Sequence, residues 1–518
     1  MACRHSALQR GLLAAKSPTT QGRFGQLFPD LHAAHFGRSD DETRNNLAAL
    51  ATQMTSPFDA PKDGPDGEES GMPALYTYFG QFIDHDITFD PISVLTKRQD
   101  PDGLTNFRTP ALDLDNIYGR GPHDQPYMYD DKGLKFQLGE ELTGLNVTGA
   151  HDLPRSAGRG LIGDPRNDEN SIVSQLQGLF HRFHNQIVRD NANFSFEQVQ
   201  QRVQFHYQYV VLNDFLPRLV TASVLDELKT NGQFDKRKFK FFSWKKTPFI
   251  PIEFSVAAYR LGHSMIRSGY RLNDSDVTLL PIFPVPTKFP DGLTGFKTMR
   301  QGWAIDWARF IDIEKRPYGT SEEDGASAEP DPNNKRRLQL AYRIDTSLVD
   351  PLSMLPDSVA SDDPKSLPQR NLERGWRLGL PSGQTVAKAM HVPVLDDSKI
   401  LIGKALDEAG ADEKPVPIAE IADGVFANNC PLWTYILAEA MHHQTAMPIA
   451  ATGGPATVNT PQLGPVGGRI VAEVLVGLIF GDQSSLLSKD PSWTPASGAD
   501  FKLKDIVAYA LGKGPKLH

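Results

Sequence analysis

Gln81, Asp84 and His85 sit at i, i+3 and i+4 in a stretch whose apolar residues, Leu75, Tyr78, Phe79, Phe82 and Ile83, recur with helical spacing between Leu75 and Phe89. On a helix these three polar side chains share one face, while Asp86 lies about 100° further round and points elsewhere. An amide, a carboxylate and an imidazole set among aromatic rings are costly to bury unless something pairs with them. The residues alone leave two readings open. One is a solvated polar face with a surface histidine; the other is a metal site of the histidine-plus-carboxylate type.

The rest of the chain reads as helices joined by long loops. Asp164 as N-cap and Pro165 at the first helical position, with acidic residues in the first turn, predict a helix running on through Ile172, Leu176, Leu179, Phe180, Phe183 and Ile187. Val203, Tyr207, Val210, Val211 and Phe215 mark another, and Phe254 to Ile266 a further one, ended by Ser268-Gly269. Trp303, Trp307 and Phe310 mark a shorter one; Leu432 to Met441 and Ile470 to Ile479 are late helices. Residues 315–338 are charged and rich in Gly and Pro, and read as an exposed loop. Strand alternation is scarce, and 43 glycines and 39 prolines fit long connections. At roughly 150 residues per domain the length would suggest about three domains, but no linker divides the middle of the chain. The expected fold class is mainly α: a single large helical domain with little β-structure over 72–490, order beginning at Met72. A loop-rich N-terminal arm over 1–71 precedes it and a C-terminal tail over 491–518 follows.

The formal charge of −9 does not suit a nucleic-acid or anionic-membrane partner. Two cysteines, Cys3 and Cys430, exclude a disulfide framework. The longest apolar stretch, Ile470 to Phe480, carries Glu473 and is too short to span a membrane. The apolar run Gly11 to Ala15 is too short for a secretory signal, so a cytoplasmic or non-classically secreted protein is expected, its oligomeric state open.

Gln81-x-x-Asp84-His85-Asp86, preceded by Tyr78-Phe79-Gly80, resembles the distal motif of animal-type haem peroxidases, the peroxidase–cyclooxygenase superfamily. Four further segments match in the same order across residues 75–380, as in a short, bacterial-like, single-domain member. The resemblance implies haem b as cofactor and the following roles. His85 is the distal base, which takes a proton from hydrogen peroxide and returns it to the departing oxygen, with Gln81 holding water or substrate beside it. In Gly163-Asp164-Pro165-Arg166-Asn167-Asp168-Glu169, Arg166 stabilises the negative charge of the leaving oxygen. Asp84 and Glu169 match the carboxylates that the family esterifies to haem. The Met that follows this Glu in the myeloperoxidase branch is Asn170 here, so no sulfonium link is expected. In Ala258-Tyr259-Arg260-Leu261-Gly262-His263-Ser264, His263 ligates the haem iron, and Asn371 holds its other ring nitrogen. Arg260 and Arg374 are candidates to pair with the haem propionates. After Asn371 and Arg374 the chain departs from the usual Arg-Asp-His-Gly and reads Gly375-Trp376-Arg377-Leu378-Gly379.

Thr109-Pro110-Ala111-Leu112-Asp113-Leu114-Asp115 resembles the family's calcium loop, with Asp115 in place of the usual Ser. Calcium takes six to eight oxygens, and Asp86, Thr109, Ala111, Asp113 and Asp115 are the candidate ligands. Read without the loop's context, the stretch is a plain acidic turn. His181 and His184 are expected to be one surface and one packed histidine, and His442-His443 to be structural. Asn146-Val147-Thr148 and Asn193-Phe194-Ser195 match glycosylation patterns that arise by chance.

The implied function is reduction of hydrogen peroxide, as in a response to oxidative stress, with oxidation of a halide, a pseudohalide or a small organic donor through a ferryl intermediate. A fatty-acid dioxygenase competes. That branch carries a radical tyrosine three residues before the proximal histidine, where this chain has Arg260, with Tyr259 facing differently. A haem-free binding or adhesion protein on the same fold would need a broken haem site, and a non-haem metal hydrolase lacks a supporting constellation.

Overall fold

The computed structural model describes residues 24–62, 66–89, 106–316, 335–404, 414–451 and 454–517. Among them, the helices of eight or more residues are α1 (Asp40–Gln53), α2 (Leu75–Ile87), α3 (Ser171–Asp190), α4 (Phe196–Val210), α5 (Leu367–Arg377), α6 (Leu432–Ala440), α7 (Pro465–Gly481) and α8 (Leu503–Ala510). Strands pair only in twos. The mainly α architecture with long loops is therefore observed. Of the charged loop read over 315–338, residues 317–334 lie outside the described residues.

Aromatic side chains join α2, α3 and α4 into the core. Phe82 of α2 stacks on Phe180 of α3 with centroids 4.6 Å apart, and Tyr207 of α4 meets Phe82 edge-on at 6.3 Å. All three rings are fully buried, so the 3.6-residue period of α2 decides which side chains remain for its other face. α7 is buried on all sides, as a helix apolar all round should be. Its Glu473 accepts the backbone N–H groups of Lys240, Phe241 and Phe242 at 2.8–2.9 Å, which offsets the cost of burying a carboxylate. Among the described residues no helix is long and apolar enough to cross a membrane.

Three predicted helices are not continuous. Asp164 does cap a helical turn, accepting from the N–H of Arg166, but that turn is a 3₁₀ segment ending at Asp168. α3 starts afresh, capped by Asn170, whose side chain accepts from Ile172 and Val173 N–H. The segment read as a helix from Phe254 to Ile266 is a π turn over Glu253–Ala257 followed by a 3₁₀ turn over Ala258–His263. Trp303 and Trp307 likewise lie in separate 3₁₀ turns.

The hairpin formed by β3 (Gln444–Ala451) and β4 (Gly454–Pro461), eight residues on each side, was not expected. Its prolines argue against a strand in sequence. It packs on β1 (Glu69–Pro73), which also pairs antiparallel with β2 (Leu340–Tyr342). Gly71 permits this, because a Cβ there would lie 2.5 Å from Cβ of Met447.

Neither chain end is only loop. The arm read over 1–71 contains α1, which buries Leu47, Leu50 and Ala51 and packs on α5. Its sparse apolar stripe hid it. Phe24-Gly25 pairs in parallel with Ile250-Pro251, and the N–H groups of Leu27 and Phe28 donate to the buried Glu253 carboxylate at 3.0 and 3.1 Å. In the tail read over 491–518, α8 packs on α3, and Tyr509 O–H donates to Asp190 at 2.7 Å.

Glu253 thus ties the N-terminal segment to the π turn. Glu253→Ala is expected to leave two backbone donors unpaired, costing about 2–3 kcal/mol, and to open the segment around residues 24–36 to protease before the core. A denaturant melt and limited proteolysis check both. An unchanged midpoint would mean that the segment is not held through Glu253.

Candidate functional site

A cavity of about 600 Å³ lies between α2 and the turn Ala258–His263, a size in the range of about 300–1,000 Å³ that suits small-molecule and cofactor sites. Gln81, Asp84 and His85 reach it from α2; Arg166 and Glu169 from the segment before α3; Arg260 and His263 from the irregular turn; Asn371 and Arg374 from α5. Side chains nearly three hundred positions apart in sequence therefore line one cavity.

His85 is buried, with Nδ1 2.7 Å from Oδ1 of Asn167 and Nε2 3.7 Å from Oε1 of Glu169. Burial, then the neighbouring Arg166 charge, lowers its pKa to about 4, so the ring is neutral near pH 7. The Gln81 amide donates to Glu169. Desolvation, helped by nearby Asp164 and Asp84, raises the Glu169 carboxyl to about 7 against the pull of Arg166 and Gln81. Thr88 O–H donates to Asp84 at 3.0 Å.

Arg166 is pinned from several directions. It donates to the Asp164 carboxylate at 2.7 Å and to the carbonyls of His85 and Thr88, and its guanidinium lies 4.6 Å from the Phe89 ring centroid. Burial pushes Asp164 up, but Arg108 and Arg166 prevail and hold it well below the usual carboxylate range. Arg166 is thus a fixed cation at the cavity wall, which favours developing negative charge there.

At the turn Ala258–His263, Nδ1 of His263 lies 2.8 Å from Nδ2 of Asn371, so the amide presents its donor end to that nitrogen. Burial and the Arg260 charge lower the imidazole to about 3. Its other ring nitrogen has no protein partner among the described residues. Next to it, a Cβ added at Gly262 would meet nothing within 4 Å, so there is open space beside the ring. Arg260 donates through Nε to the Ser255 carbonyl at 2.9 Å. Tyr259, expected to face differently from Arg260, also lines the cavity, its ring stacked on Phe254 with centroids 4.7 Å apart.

Behind the other face of α2, carboxylate oxygens of Asp86, Asp113 and Asp115 lie within 4.8 Å of one another, all buried. Desolvation and the two neighbouring carboxylates push Asp86 well above its ordinary value. Oδ1 of Asp86 and Oγ1 of Thr109 are buried without a hydrogen-bond partner. Ala111 is buried in the same loop, which α4 fixes through Gln204 and Gln208, donating to the carbonyls of Asp113 and Leu112 at 2.6 and 2.8 Å. These oxygens suit a hard dication.

Sequence reasoning passed over Asn167, Gln177 and Arg108. Arg108 joins the acidic loop to the Arg166 turn, donating to Asp115 at 3.2 Å and to Asp164. Asn167 adjoins Arg166, yet its role depends on a contact across the fold. The expectation of a surface histidine at 181 or 184 is corrected, since both are buried. His181 faces Gln177, and His184 sits between the Tyr118 hydroxyl and the Leu134 carbonyl at 3.0 and 2.7 Å.

Residues 94–290 match the family model described as animal haem peroxidase. A chorion peroxidase of Aedes aegypti is 25% identical over 182 residues, 30% of this chain and 23% of that protein. Thyroid peroxidase of Homo sapiens is 24% identical over 335 residues, 58% of this chain and 31% of that protein. The chain therefore spans under a third of the length of these relatives. Peroxidase A from Dictyostelium discoideum superposes with a TM-score of 0.59 at 14% identity, covering 99% of this chain and 98% of that one. A fatty acid alpha-dioxygenase of Arabidopsis thaliana superposes at 0.54 and 15% identity, covering 96% and 79%. At these identities the structural likeness is one of fold.

Proposed function

We propose that this chain, which carries an animal haem peroxidase domain, binds haem b in its cavity, reduces hydrogen peroxide there, and oxidises a halide, a pseudohalide or a small organic donor. The reading rests on one observation: His85 with Arg166, and His263 with Asn371, line the same cavity, the first pair from α2 and the segment before α3, the second from the turn Ala258–His263 and α5.

The donor set fits the cofactor. His263 would hold the iron through the ring nitrogen that faces away from Asn371, with the Asn371 amide turned over so that its oxygen accepts the Nδ1–H and the lone pair is left on that nitrogen. Arg260 and Arg374 would receive the propionates. Asp84 and Glu169, both on the cavity wall, are the carboxylates available for ester links. Asn170 is committed to capping α3, and it offers no sulfur for a third link. Bound haem supplies the iron at which the peroxide O–O bond is cleaved and through which the donor is oxidised.

The chain supplies proton handling and charge. Neutral His85 takes the proton of peroxide at Nε2 and returns it to the departing oxygen, so that the leaving group departs as water. Arg166, held by Asp164, stabilises negative charge on that oxygen before the proton arrives. Gln81 orients water or substrate beside His85. A calcium ion held by Asp86, Thr109, Ala111, Asp113 and Asp115 would neutralise the buried carboxylates. It would also fix the residue that follows His85 in sequence.

Two measurements test this. His263→Ala is expected to purify without a Soret band. His85→Ala should keep the band but react with hydrogen peroxide about 10²–10⁴-fold more slowly, the usual contribution of a positioned acid–base group. Normal turnover in either variant removes that residue from its role. A Soret band indifferent to peroxide, with oxygen uptake on a fatty acid, would replace the peroxidase by the dioxygenase. Metal analysis of active protein should find about one calcium per chain. Asp113→Asn combined with Asp115→Asn should lose the ion and lower the Tm. Fully active protein without calcium would overturn the metal assignment.

A further inference from the structure

Asn167, Gln177 and His181 have no part in the roles above, yet they form a buried line that begins at His85. Nδ1 of His85 lies 2.7 Å from Oδ1 of Asn167. Nδ2 of Asn167 donates to Oε1 of Gln177 at 2.7 Å. Nε2 of Gln177 in turn lies 2.9 Å from Nε2 of His181. None of the three added residues is more than 1% exposed. Asn167 belongs to the turn that carries Arg166, and Gln177 and His181 lie one turn apart on α3.

The line has a direction. A carboxamide accepts through its oxygen and donates through its nitrogen, and a neutral imidazole has one nitrogen of each kind. Asn167 turns its oxygen to His85 and its nitrogen to Gln177; Gln177 turns its oxygen to Asn167 and its nitrogen to His181. The proton of His85 must then sit on Nδ1, and the far end must be an acceptor, Nε2 of His181. The His181 ring lies flat on Phe136, with centroids 4.3 Å apart and planes within 6°, which keeps that nitrogen aimed at Gln177. Reversing the line would require both amides and both imidazoles to change together. With Nδ1 protonated, Nε2 of His85 keeps its lone pair on the side of Glu169, a cavity-wall residue.

We propose that Asn167, Gln177 and His181 are positioning residues that hold His85 in its Nδ1–H tautomer and so keep, at Nε2, the lone pair that receives the peroxide proton. The proposal rests on the peroxidase reading above. The transferred proton goes from peroxide to Nε2 and back to the departing oxygen. No proton travels along the line, and each member keeps its own.

The tautomer is read directly from the ¹⁵N shifts of the His85 ring in protein loaded with diamagnetic zinc protoporphyrin, the signal being assigned by its loss in His85→Gln. In parallel, the haem-loaded protein is mixed with hydrogen peroxide and the Soret change is timed. His181→Phe removes the acceptor but keeps a ring on Phe136, and His181→Gln restores an acceptor oxygen. Gln177→Met and Asn167→Leu cut the line nearer to His85. Wild type is expected to show Nδ1–H alone. His181→Phe should fold and bind haem, melt somewhat below wild type because Gln177 loses its buried acceptor, show a mixture of tautomers, and react roughly tenfold more slowly, with Asn167→Leu about a hundredfold slower, the range for losing a partner behind a functional imidazole. His181→Gln should recover both readouts. Should Asn167→Leu fail to fold, the His181 pair decides alone. An Nε2–H tautomer in wild type overturns the proposal, as does an unmoved tautomer and rate in His181→Phe. Failure of the peroxidase reading looks different: His85→Ala then reacts with peroxide at the full rate, whatever the tautomer.

Discussion

Asp164 is a carboxylate with no exposed surface, set between two guanidiniums. Buried charges are tolerated only when paired and hydrogen-bonded, and removing one partner leaves the others uncompensated. Here the pairing fixes four things. It caps the turn that carries Asn167, fixes Arg166 at the cavity wall, and anchors Arg108. Through Arg108 it reaches Asp115 and the acidic loop. The side of the cavity that handles charge is thus one electrostatic unit, and its members cannot be moved singly.

The far end of the unit gathers carboxylates. Asp86, Asp113 and Asp115 meet in a buried space, and Arg108, which pairs with Asp115, is shared with Asp164. Tyr207 O–H gives Asp86 one hydrogen bond at 3.1 Å but no charge. A dication is the economical way to hold such a cluster ionised, because it balances charge and satisfies the orphaned oxygens of Asp86 and Thr109 together. Since Asp86 follows His85 on the same helix, whatever sits among the carboxylates also sets how firmly α2 presents His85.

Local pattern carried much of this. The i, i+3, i+4 spacing placed Gln81, Asp84 and His85 on one face because α2 is regular and its aromatic stripe is unambiguous. Where the backbone leaves the α-helical period, the pattern misled. The span 254–266 looks like one amphipathic helix, but it is π and 3₁₀ in succession, and side-chain periodicity cannot separate these from an α-helix over so few residues. Asp164 and Asn170 are both good caps, and only the tertiary contact of Ser171 N–H with the Leu293 carbonyl, at 2.8 Å, shows where the second helix begins. His181 and His184 were misplaced for a related reason. A polar residue on an apolar helix reads as surface until its partner is known, and their partners Phe136, Tyr118 and Leu134 come from a turn-rich stretch without periodicity. The hairpin at 444–461 was missed because its prolines and small residues lack the β-branched alternation of a strand.

Both cavity histidines meet an asparagine through Nδ1, His85 at 2.7 Å from Oδ1 of Asn167 and His263 at 2.8 Å from Nδ2 of Asn371, the two amides presenting opposite ends. Both rings are also kept neutral by burial together with an adjacent arginine. Neutrality is the common requirement of a metal ligand and a proton acceptor, since each must offer a nitrogen lone pair. What differs is the backbone beneath. His85 stands on a regular helix packed by aromatic rings, whereas His263 ends a segment that changes helical pitch on reaching the cavity. A regular helix can present Gln81, Asp84 and His85 together, as a base with its surroundings. A segment that ends in a tight turn puts forward one ring beside open space at Gly262. On the proposed function, the division of labour between base and ligand would follow from secondary structure as much as from residue type.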